Sequence, residues 1–378
     1  MKAQKQIRDR FAHRPEIVAE IGTAHGGDLD KARDLIAAAA NAGADTAKFQ
    51  WVIADEILHP ATGEVELPSG SIPLYEHFRE LERDGRFYAA LRDYCRELDI
   101  GFLCTAFGSR SAAGLIELGV RRFKVASPEL NHLPLLHQLD KRKHRVILST
   151  GVSLLADIER SVACFSKAEL SILHCITAYP APEREYNLSV IGGLSSVFGV
   201  PVGVSDHSLD PVLVPTMATI LGARLIEKHI RPALAGDGLD DPIALSPREF
   251  ARMCARVHTT SDRLATGGSS VHAEIETLKS EFGRDRVKEV LGNGVKRLAA
   301  SEVKNYGRSN RSLHALVHLA AGTAITRENT ALLRTEHYLK PGMPPHQAEQ
   351  MYGAVLIRDV PAGEGVTCED LVQFAGHP

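Results

Sequence analysis

The sequence has few of the features that mark secreted, membrane-bound or nucleic-acid-binding proteins. Its six cysteines are scattered along 378 residues without a C-x-x-C pair, which predicts reduced thiols rather than a disulfide framework. The N-terminus is polar and lacks the apolar core of a signal peptide, and no apolar run is long enough to span a bilayer. A net charge of −3 offers no basic surface for nucleic acid. We therefore expect a cytoplasmic protein with neither a membrane nor a nucleic acid as partner.

What the sequence does contain is a regular alternation of short apolar runs and longer amphipathic segments. Hydrophobic residues make up 44% and charged residues 24% of the chain, as in soluble globular proteins. The apolar runs predict strands at 17–22, 45–51, 100–105, 122–127, 145–150, 170–175, 200–205 and 224–230. The amphipathic segments predict helices at 29–42, 86–98, 109–118, 153–165, 188–197, 210–221 and 247–265. Asp28 and Ser153 are predicted N-caps and Gly43 a C-cap.

Eight strand candidates with intervening helices predict a closed (β/α)8 (TIM) barrel over residues 1–265 rather than an open doubly wound sheet. Each predicted strand ends in, or just before, a polar side chain. In such a barrel the C-terminal strand ends open on one face, where active sites form. The polar residues at these ends are Glu20, Lys48, Thr105, Lys124, Ser127, Ser149, His174, Ser205, Asp206, His207, Glu227, Lys228 and His229.

The alternation stops after the last predicted helix. The stretch "TGGSS" opens a polar segment, predicted as a linker over 266–308. Beyond it, "SLHALVHLAAGTAITRENTALLRT" and "GAVLIRDVPAGEGVTCEDLVQF" repeat one pattern, in which an apolar run leads through an A-G turn into polar residues. The repeat predicts a small β-rich domain with pseudo-symmetric halves at 309–378.

Several stretches together carry a specific resemblance. In chain order they are "IVAEIGTAHGG", "AKFQ", "FLCTAF", "FKVASPEL", "ILSTGVS", "LHCITAYPAP", "VSDHS" and "IEKHI", followed by "NRSL" and "LKPGMPP". On these motifs the chain resembles the sialic acid synthase (N-acylneuraminate or nonulosonic acid synthase) family, over roughly residues 15–374. Members condense phosphoenolpyruvate (PEP) with an amino sugar and end in an antifreeze-like (SAF) domain, so the resemblance implies a TIM barrel followed by a SAF domain.

The residue types at the strand ends suit PEP, which carries a phosphate and a carboxylate. Lysines supply charge, and short Ser and Thr hydroxyls can approach oxyanions closely. For any single hydroxyl the alternative is that it only caps the following helix. The resemblance assigns the carboxylate to Lys48, Thr105 and Lys124, and the phosphate to Ser127, Ser149 and Ser205.

Two histidines on neighbouring strands, His207 and His229, are either packed core residues or ligands of one metal ion. The resemblance implies a divalent ion, Mn²⁺ or Mg²⁺, between them, with positions left open for water and substrate. Glu129 is the first candidate for proton handling, with an exposed loop glutamate as the alternative. Asp206 is a second catalytic candidate, or orients a metal-bound histidine.

The resemblance also implies an acceptor site. Glu20, Tyr179 and Asp240 would contact the sugar, with Glu20 also a catalytic candidate, and Arg311 would reach in from the partner of a domain-swapped homodimer. The acceptor is expected to be an aldose of the 2-acetamido class. Examples are N-acetylmannosamine and its modified relatives.

Three positions depart from the family's usual pattern, and all three fall on the sugar side. Ala24 stands where "NHNG" has Asn, Gly108 where "TPFD" has Asp, and Asp241 lies in a loop that often reads GPDH. The departures suggest that the reaction type is kept while the acceptor differs from N-acetylmannosamine.

Two other functions remain open from the sequence. A Schiff-base aldolase on the same barrel would use Lys124 or Lys228 as nucleophile and need no metal. A catalytically silent sugar-binding protein could keep the fold without the chemistry.

Overall fold

The computed structural model describes residues 14–67, 70–141, 143–233 and 238–371. Eight parallel strands close into a barrel, which confirms the predicted fold. Neighbouring strands follow chain order, and the last pairs with the first, with Glu16 opposite Leu225. The barrel strands are β1 (Glu16–Gly22), β2 (Thr46–Trp51), β5 (Gly101–Ala106), β6 (Arg122–Val125), β7 (Arg145–Ser149), β8 (Glu169–Cys175), β9 (Val202–Asp206) and β10 (Leu225–His229).

Helices surround the barrel because each amphipathic segment buries its apolar face against the strands. The helices that follow barrel strands are Leu29–Asn41, Gly85–Glu97, Ser109–Glu117, Leu133–Asp140, Leu155–Val162, Val190–Phe198, Leu213–Ile220 and Pro247–Thr266. Asp28 caps the first of them through hydrogen bonds from two backbone amides, as predicted.

Two of the predicted helix caps are wrong. The N-cap of Leu155–Val162 is Leu154, because the hydroxyl of Ser153 donates back to the carbonyl of Thr150. Gly43 stands one residue beyond the C-cap Ala42, at φ 92°, where glycine commonly turns the chain out of a helix.

Local patterns missed the short elements inserted after β2. These are the helix Ala54–Ile57, the hairpin of β3 (Glu64–Leu67) and β4 (Gly70–Pro73), and the helix Leu74–Glu80. They have only four to seven residues each, which is short against the windows in which hydrophobic periodicity identifies an element. Phe78 and Leu81 bring this insertion to the open end of the barrel.

The predicted linker at 266–308 contains two helices, Val271–Phe282 and Arg284–Leu291. Their side chains Leu278, Val287 and Val290 are buried in the same core as the barrel helices. The segment is thus packed against the barrel for much of its length. The domain boundaries drawn from the sequence stay a prediction.

The C-terminal unit, residues 309–371, has a separate apolar core that includes Leu313, Ile325 and Val366. Strands β11 (Arg311–Ala315) and β12 (Thr330–Arg334) form an antiparallel pair. Isolated bridges then join the first half of the unit to the second, Leu319 to Val360 and Ala324 to Val355. The remaining helices are Pro345–Met351 and Cys368–Leu371. The unit thus has one antiparallel strand pair and two halves joined by isolated bridges, and its assignment as a SAF domain stays a prediction.

Helices long and apolar enough to cross a membrane are absent from the described ranges of the chain.

Candidate active site

Alternation along the strands explains how the barrel places polar groups at its open end. Val18, Leu103, Ile147, Leu173 and Leu225 point inward and form one apolar layer inside the barrel. Successive side chains of a strand point to opposite faces, so residues two positions further on point inward again, one layer higher. Those residues are Glu20, Thr105, Ser149, Cys175 and Glu227, and all five line a cavity of about 180 Å³ at the C-terminal strand ends.

This strand-end cavity brings together most of the residues predicted for the site. Its lining includes two lysines, four hydroxyl side chains, two histidines and the acceptor candidates. They are Lys48, Lys124, Thr105, Ser127, Ser149, Ser205, His207, His229, Glu20, Tyr179 and Asp240. The predicted residues Glu129, Asp206 and Arg311 are not part of the lining.

The cavity floor is a buried network of alternating charges. Lys48 donates to Glu20, whose other carboxylate oxygen accepts a 2.8 Å hydrogen bond from Gln50. The carboxylate of Glu227 lies 3.5 Å from the ammonium of Lys48 and 3.4 Å from that of Lys124. Two carboxylates thus balance two ammonium groups, which is how a protein keeps charges out of water at tolerable cost.

The pKa values in this network follow from burial and neighbouring charge. Burial acts to raise the pKa of Glu227, but Lys124 and Lys48 outweigh it and lower that pKa to about 2. Burial acts to lower the pKa of Lys48, but Glu20 and Glu227 outweigh it and raise that pKa. The pKa of Lys124 is lowered, chiefly by burial. Lys124 is therefore the cation of the pair that gains more from an added negative charge.

The cavity hydroxyls fall into two groups, those with a hydrogen-bond partner among the described residues and those without one. The hydroxyl of Ser205 donates to Glu227 at 2.8 Å, and that of Ser127 accepts from the amide of Gly151 at 3.0 Å. The hydroxyls of Thr105 and Ser149 are buried and have no hydrogen-bond partner among the described residues. A buried polar group without a partner is costly, so these two hydroxyls are suited to a bound polar ligand.

The two histidines lie side by side at the rim, with ring centroids 5.4 Å apart. Nδ1 of His207 donates to the carbonyl of Ile176, 2.9 Å away, so in the neutral ring Nε2 is the nitrogen with a free lone pair. Burial lowers the pKa of His207, and burial together with His207 holds the pKa of His229 well below 6.5. Both imidazoles are therefore neutral near pH 7, as metal ligation requires.

The structure places few further metal-ligating groups beside this pair. Within the described ranges, three or more His, Cys, Asp or Glu side chains are nowhere grouped so as to hold a metal ion. Asp240 approaches His229, with Oδ2 3.6 Å from Nδ1, and Tyr179 stacks on His207 at 4.4 Å. Burial, assisted by Glu20, raises the pKa of Asp240 to about 6. Of the two lining carboxyls Asp240 and Glu227, Asp240 thus has the pKa nearer to neutrality.

Glu129 lies beside the cavity in a fully buried ion-pair cluster. One carboxylate oxygen accepts from Arg311 and the other from Arg334, whose Nε is 3.0 Å away. Arg311 also donates to the carbonyls of Phe107, at 2.6 Å, and Leu332, at 3.1 Å. Each of the three guanidinium nitrogens donates to a protein acceptor, so Arg311 holds the C-terminal unit on the barrel. Arg334, by contrast, lines the cavity. The exchange of this contact between subunits, which the resemblance implied, stays a prediction.

Asp206 faces the opposite side of the barrel wall from the cavity. It directly follows the inward-pointing Ser205, so alternation turns it outward. Its carboxylate pairs with the fully buried Lys228 at 2.7 Å and accepts from the amide of Ser208 at 2.8 Å. His174 is likewise turned outward and bonds to the carbonyl of Tyr186 at 2.6 Å. Asp206 and Lys228 therefore form a pair in the wall rather than part of the cavity.

The structure gives a physical account of one departure from the family pattern. The helix that begins after Gly108 receives its N-terminal cap from Glu56, whose carboxylate accepts from the amides of Arg110 and Ser111 at 2.6 and 3.1 Å. A Cβ atom at Gly108 would lie 2.5 Å from the carboxyl carbon of Glu56. Glu56 thus occupies the space of a side chain at 108. Ala24 packs on the barrel core and Asp241 is buried next to Asp240, and neither lines the cavity.

Sequence reasoning placed Glu227 at a strand end without giving it a role, and it overlooked Gln50 and Arg334 as cavity residues. Glu227 and Gln50 share the inward phase of His229 and Lys48 on their strands, so alternation could have identified them. Arg334 comes from β12 in the C-terminal unit, 205 residues from its partner Glu129, and local patterns carry no signal for it.

The fold and cavity define a TIM-barrel protein with a charged cavity at the strand ends, to which a second unit contributes Arg334. A family model described as the NeuB family matches residues 35–269, and the chain belongs to this family. The spore coat polysaccharide biosynthesis protein SpsE of Bacillus subtilis is 33% identical over 94% of this chain and 93% of that protein. The crystal structure of B. subtilis SpsE superposes with a TM-score of 0.78 at 31% identity, covering 96% of each chain. The N,N'-diacetyllegionaminic acid synthase of Legionella pneumophila is 29% identical over 94% of both chains.

Proposed function

We propose that this protein is a PEP-dependent nonulosonic acid synthase, which joins PEP to an aldose and releases inorganic phosphate. The observation that carries the proposal is the cavity floor, where Lys48 and Lys124 lie among strand-end hydroxyls. Two of those hydroxyls have no hydrogen-bond partner among the described residues. The curated relatives support it, because they include synthases named for legionaminic acid, pseudaminic acid and N-acetylneuraminate 9-phosphate.

PEP binds at the floor of the cavity and the sugar nearer its rim. The carboxylate of PEP takes Lys48, Lys124 and Thr105, and its phosphate takes the hydroxyls of the three serines. Glu20 and Asp240 face the acceptor, and Tyr179 covers it from the rim. Once PEP is bound, its negative charges offset the desolvation of Lys124, whose pKa is lowered chiefly by burial.

The reaction forms one carbon–carbon bond and breaks one carbon–oxygen bond. C3 of PEP attacks the aldehyde carbon of the sugar, whose oxygen takes up a proton. Positive charge develops at C2, where water adds and loses a proton. The tetrahedral centre then expels inorganic phosphate and becomes the ketone of the 2-keto acid. Asp240, with a pKa of about 6, can exchange a proton with the substrate near neutral pH, whereas Glu129 is held ionised by two arginines.

His207 and His229 suit a divalent ion, because both are neutral imidazoles and Nδ1 of His207 is held by a backbone carbonyl, as in many metal-binding histidines. Water and substrate oxygens would complete the coordination. An ion bound there, Mn²⁺ or Mg²⁺, would polarise the aldehyde oxygen of the acceptor.

We further propose a homodimer in which the C-terminal units are exchanged. The contacts of Arg311 and Arg334 with Glu129 would then form between subunits instead of within one chain, with the same residues at the same site.

A phosphate-release assay with PEP and a panel of acceptor aldoses tests the proposed function. N-acetylmannosamine, its 6-phosphate and dideoxy-diacetamido hexoses are the informative acceptors. We expect phosphate release with at least one of them and loss of that release after chelation. Borohydride trapping of a substrate on Lys124 without phosphate release would instead identify a Schiff-base aldolase.

A further inference from the structure

We infer that Glu302 is a positioning residue for the PEP-binding half of the cavity, an inference that rests on the proposed function. Glu302 belongs to the segment between the barrel and the C-terminal unit, and its side chain is completely buried. The same carboxylate oxygen, Oε1, accepts two hydrogen bonds, from the amide of Val152 at 2.7 Å and from the amide of Thr177 at 2.8 Å. A single oxygen atom therefore joins the loops that follow β7 and β8.

The loop after β7 needs such a partner because its backbone is strained. Val152 has φ 41°, in the left-handed region that β-branched residues rarely adopt. Strained conformations of this kind persist where the surrounding structure over-determines them, and they cluster at functional sites. The amide of Val152, the strained residue itself, is the group that Glu302 binds.

Neighbouring contacts hold the same loop from other sides. The amide of Gly151 donates to the hydroxyl of Ser127 at 3.0 Å, and the ammonium of Lys296 donates to the carbonyl of Thr150 at 3.0 Å. A Cβ atom at Gly151 would lie 2.0 Å from the hydroxyl oxygen of Thr177. The loop therefore has one position in which all these contacts are made.

That position decides where two phosphate-binding groups lie. Ser149 ends β7 immediately before the loop, and the hydroxyl of Ser127 is oriented by the amide of Gly151. Charge-assisted hydrogen bonds to an oxyanion weaken steeply with distance and angle. If Glu302 releases the loop after β7, both serines move relative to the phosphate, while Glu20 and Asp240 on the sugar side lie on other elements and stay in place.

Two substitutions separate degrees of release. In Glu302→Ala three backbone amides lose their acceptor. Two are those of Val152 and Thr177, and the third is that of Ala299, which donates to the second carboxylate oxygen at 3.1 Å. In Glu302→Gln the amide oxygen can keep Val152 and Thr177, while the amide nitrogen faces the donor of Ala299. We expect about a ten- to hundredfold rise in KM for PEP in Glu302→Ala and a smaller rise in Glu302→Gln. KM for the sugar should rise less than KM for PEP, because of the acceptor residues only Tyr179 follows a released loop.

Asp140 provides a matched control. It is another buried carboxylate, and one of its oxygens accepts from the amides of Ser166, Lys167 and Ala168 at 3.0, 2.7 and 2.9 Å. It lies before β7 and β8, at the barrel end opposite the cavity. Asp140→Ala is expected to lose stability as Glu302→Ala does, with KM for PEP unchanged. Equal effects of the two substitutions on KM for PEP, or a parallel rise in both Michaelis constants of Glu302→Ala, would overturn the inference.

Hydrogen–deuterium exchange gives a readout that does not depend on turnover. In Glu302→Ala the peptides spanning 150–153 and 176–178 are expected to exchange faster, and in Asp140→Ala they keep the wild-type rate. Unchanged exchange in those peptides overturns the positioning role, even if activity falls. A wild-type enzyme that releases no phosphate from PEP refutes the proposed function instead. If Glu302→Ala fails to fold, Glu302→Gln takes its place in both measurements. A Glu302→Gln enzyme with the wild-type KM for PEP and the wild-type hydrogen–deuterium exchange rates would overturn the positioning role.

Discussion

Replacing Glu129 by glutamine tests whether this residue stabilises the closed arrangement of the two units or takes part in the chemistry. Glutamine has nearly the same shape as glutamate but no charge. In Glu129→Gln the buried guanidinium of Arg311 loses its only carboxylate hydrogen-bond partner among the described contacts. Breaking a buried ion pair in this way costs roughly 3–5 kcal/mol. Arg311 keeps its carbonyl acceptors and Arg334 is partly exposed, so we expect a loss near the lower end, about 3 kcal/mol.

The stability difference between wild type and Glu129→Gln should depend on pH with a defined sign. Burial acts to raise the pKa of Glu129, but Arg311 and Arg334 outweigh it and hold the pKa below its ordinary value of 4.5. A carboxyl whose pKa is lowered on folding contributes its stabilisation fully above the unfolded pKa, and the contribution disappears as pH falls through the folded pKa. The difference is therefore complete at pH 7 and shrinks below about pH 4.5.

Urea unfolding at several pH values measures this difference. The single tryptophan, Trp51 on β2, reports on the barrel, and limited proteolysis reports on the C-terminal unit. Glu16→Gln is the matched control, because Glu16 pairs with Arg122 at the far end of the barrel, where both side chains are partly exposed. We expect a loss of about 1 kcal/mol or less there. A Glu129→Gln enzyme with wild-type stability and abolished turnover would refute this reasoning and assign Glu129 a chemical role.

Three further outcomes are expected. Lys124→Met should raise KM for PEP about ten- to a hundredfold, because it removes a charge-assisted contact, and steady-state kinetics with both substrates would contradict the proposed orientation if only KM for the sugar rose. His229→Ala should retain the wild-type unfolding midpoint and lose most of the activity that Mn²⁺ restores to chelated enzyme, whereas a variant that unfolds but keeps its specific activity would identify a core histidine. Mixing Arg311→Ala with His229→Ala chains should partly restore activity if the C-terminal units are exchanged, since one site of each mixed dimer then carries neither substitution. Persistent inactivity after demonstrated subunit exchange would exclude the exchange.

The sequence by itself determined the barrel and most of the cavity. Apolar runs at regular spacing specify strands, and a strand's period of two decides which side chains point inward. Val18 with Glu20 and Leu103 with Thr105 follow this rule, and so do Leu225, Glu227 and His229. The same rule excludes Asp206 and Lys228, which are out of phase with their inward neighbours Ser205 and Glu227. Their prediction as candidate site residues arose from proximity along the chain rather than from phase.

The tertiary structure alone decided which distant groups bind the buried or capping carboxylates. Glu129 meets Arg311 and Arg334 across 182 and 205 residues of sequence, and Glu56 caps a helix that begins more than fifty residues later. Glu302 lies in a segment whose composition predicts only a linker, yet it binds the amides of two barrel loops. Local periodicity reports the direction of a side chain relative to its own strand or helix. Which distant group shares its buried space depends on how the units pack. For these carboxylates that partner sets the role, and for Glu129 it also lowers the pKa.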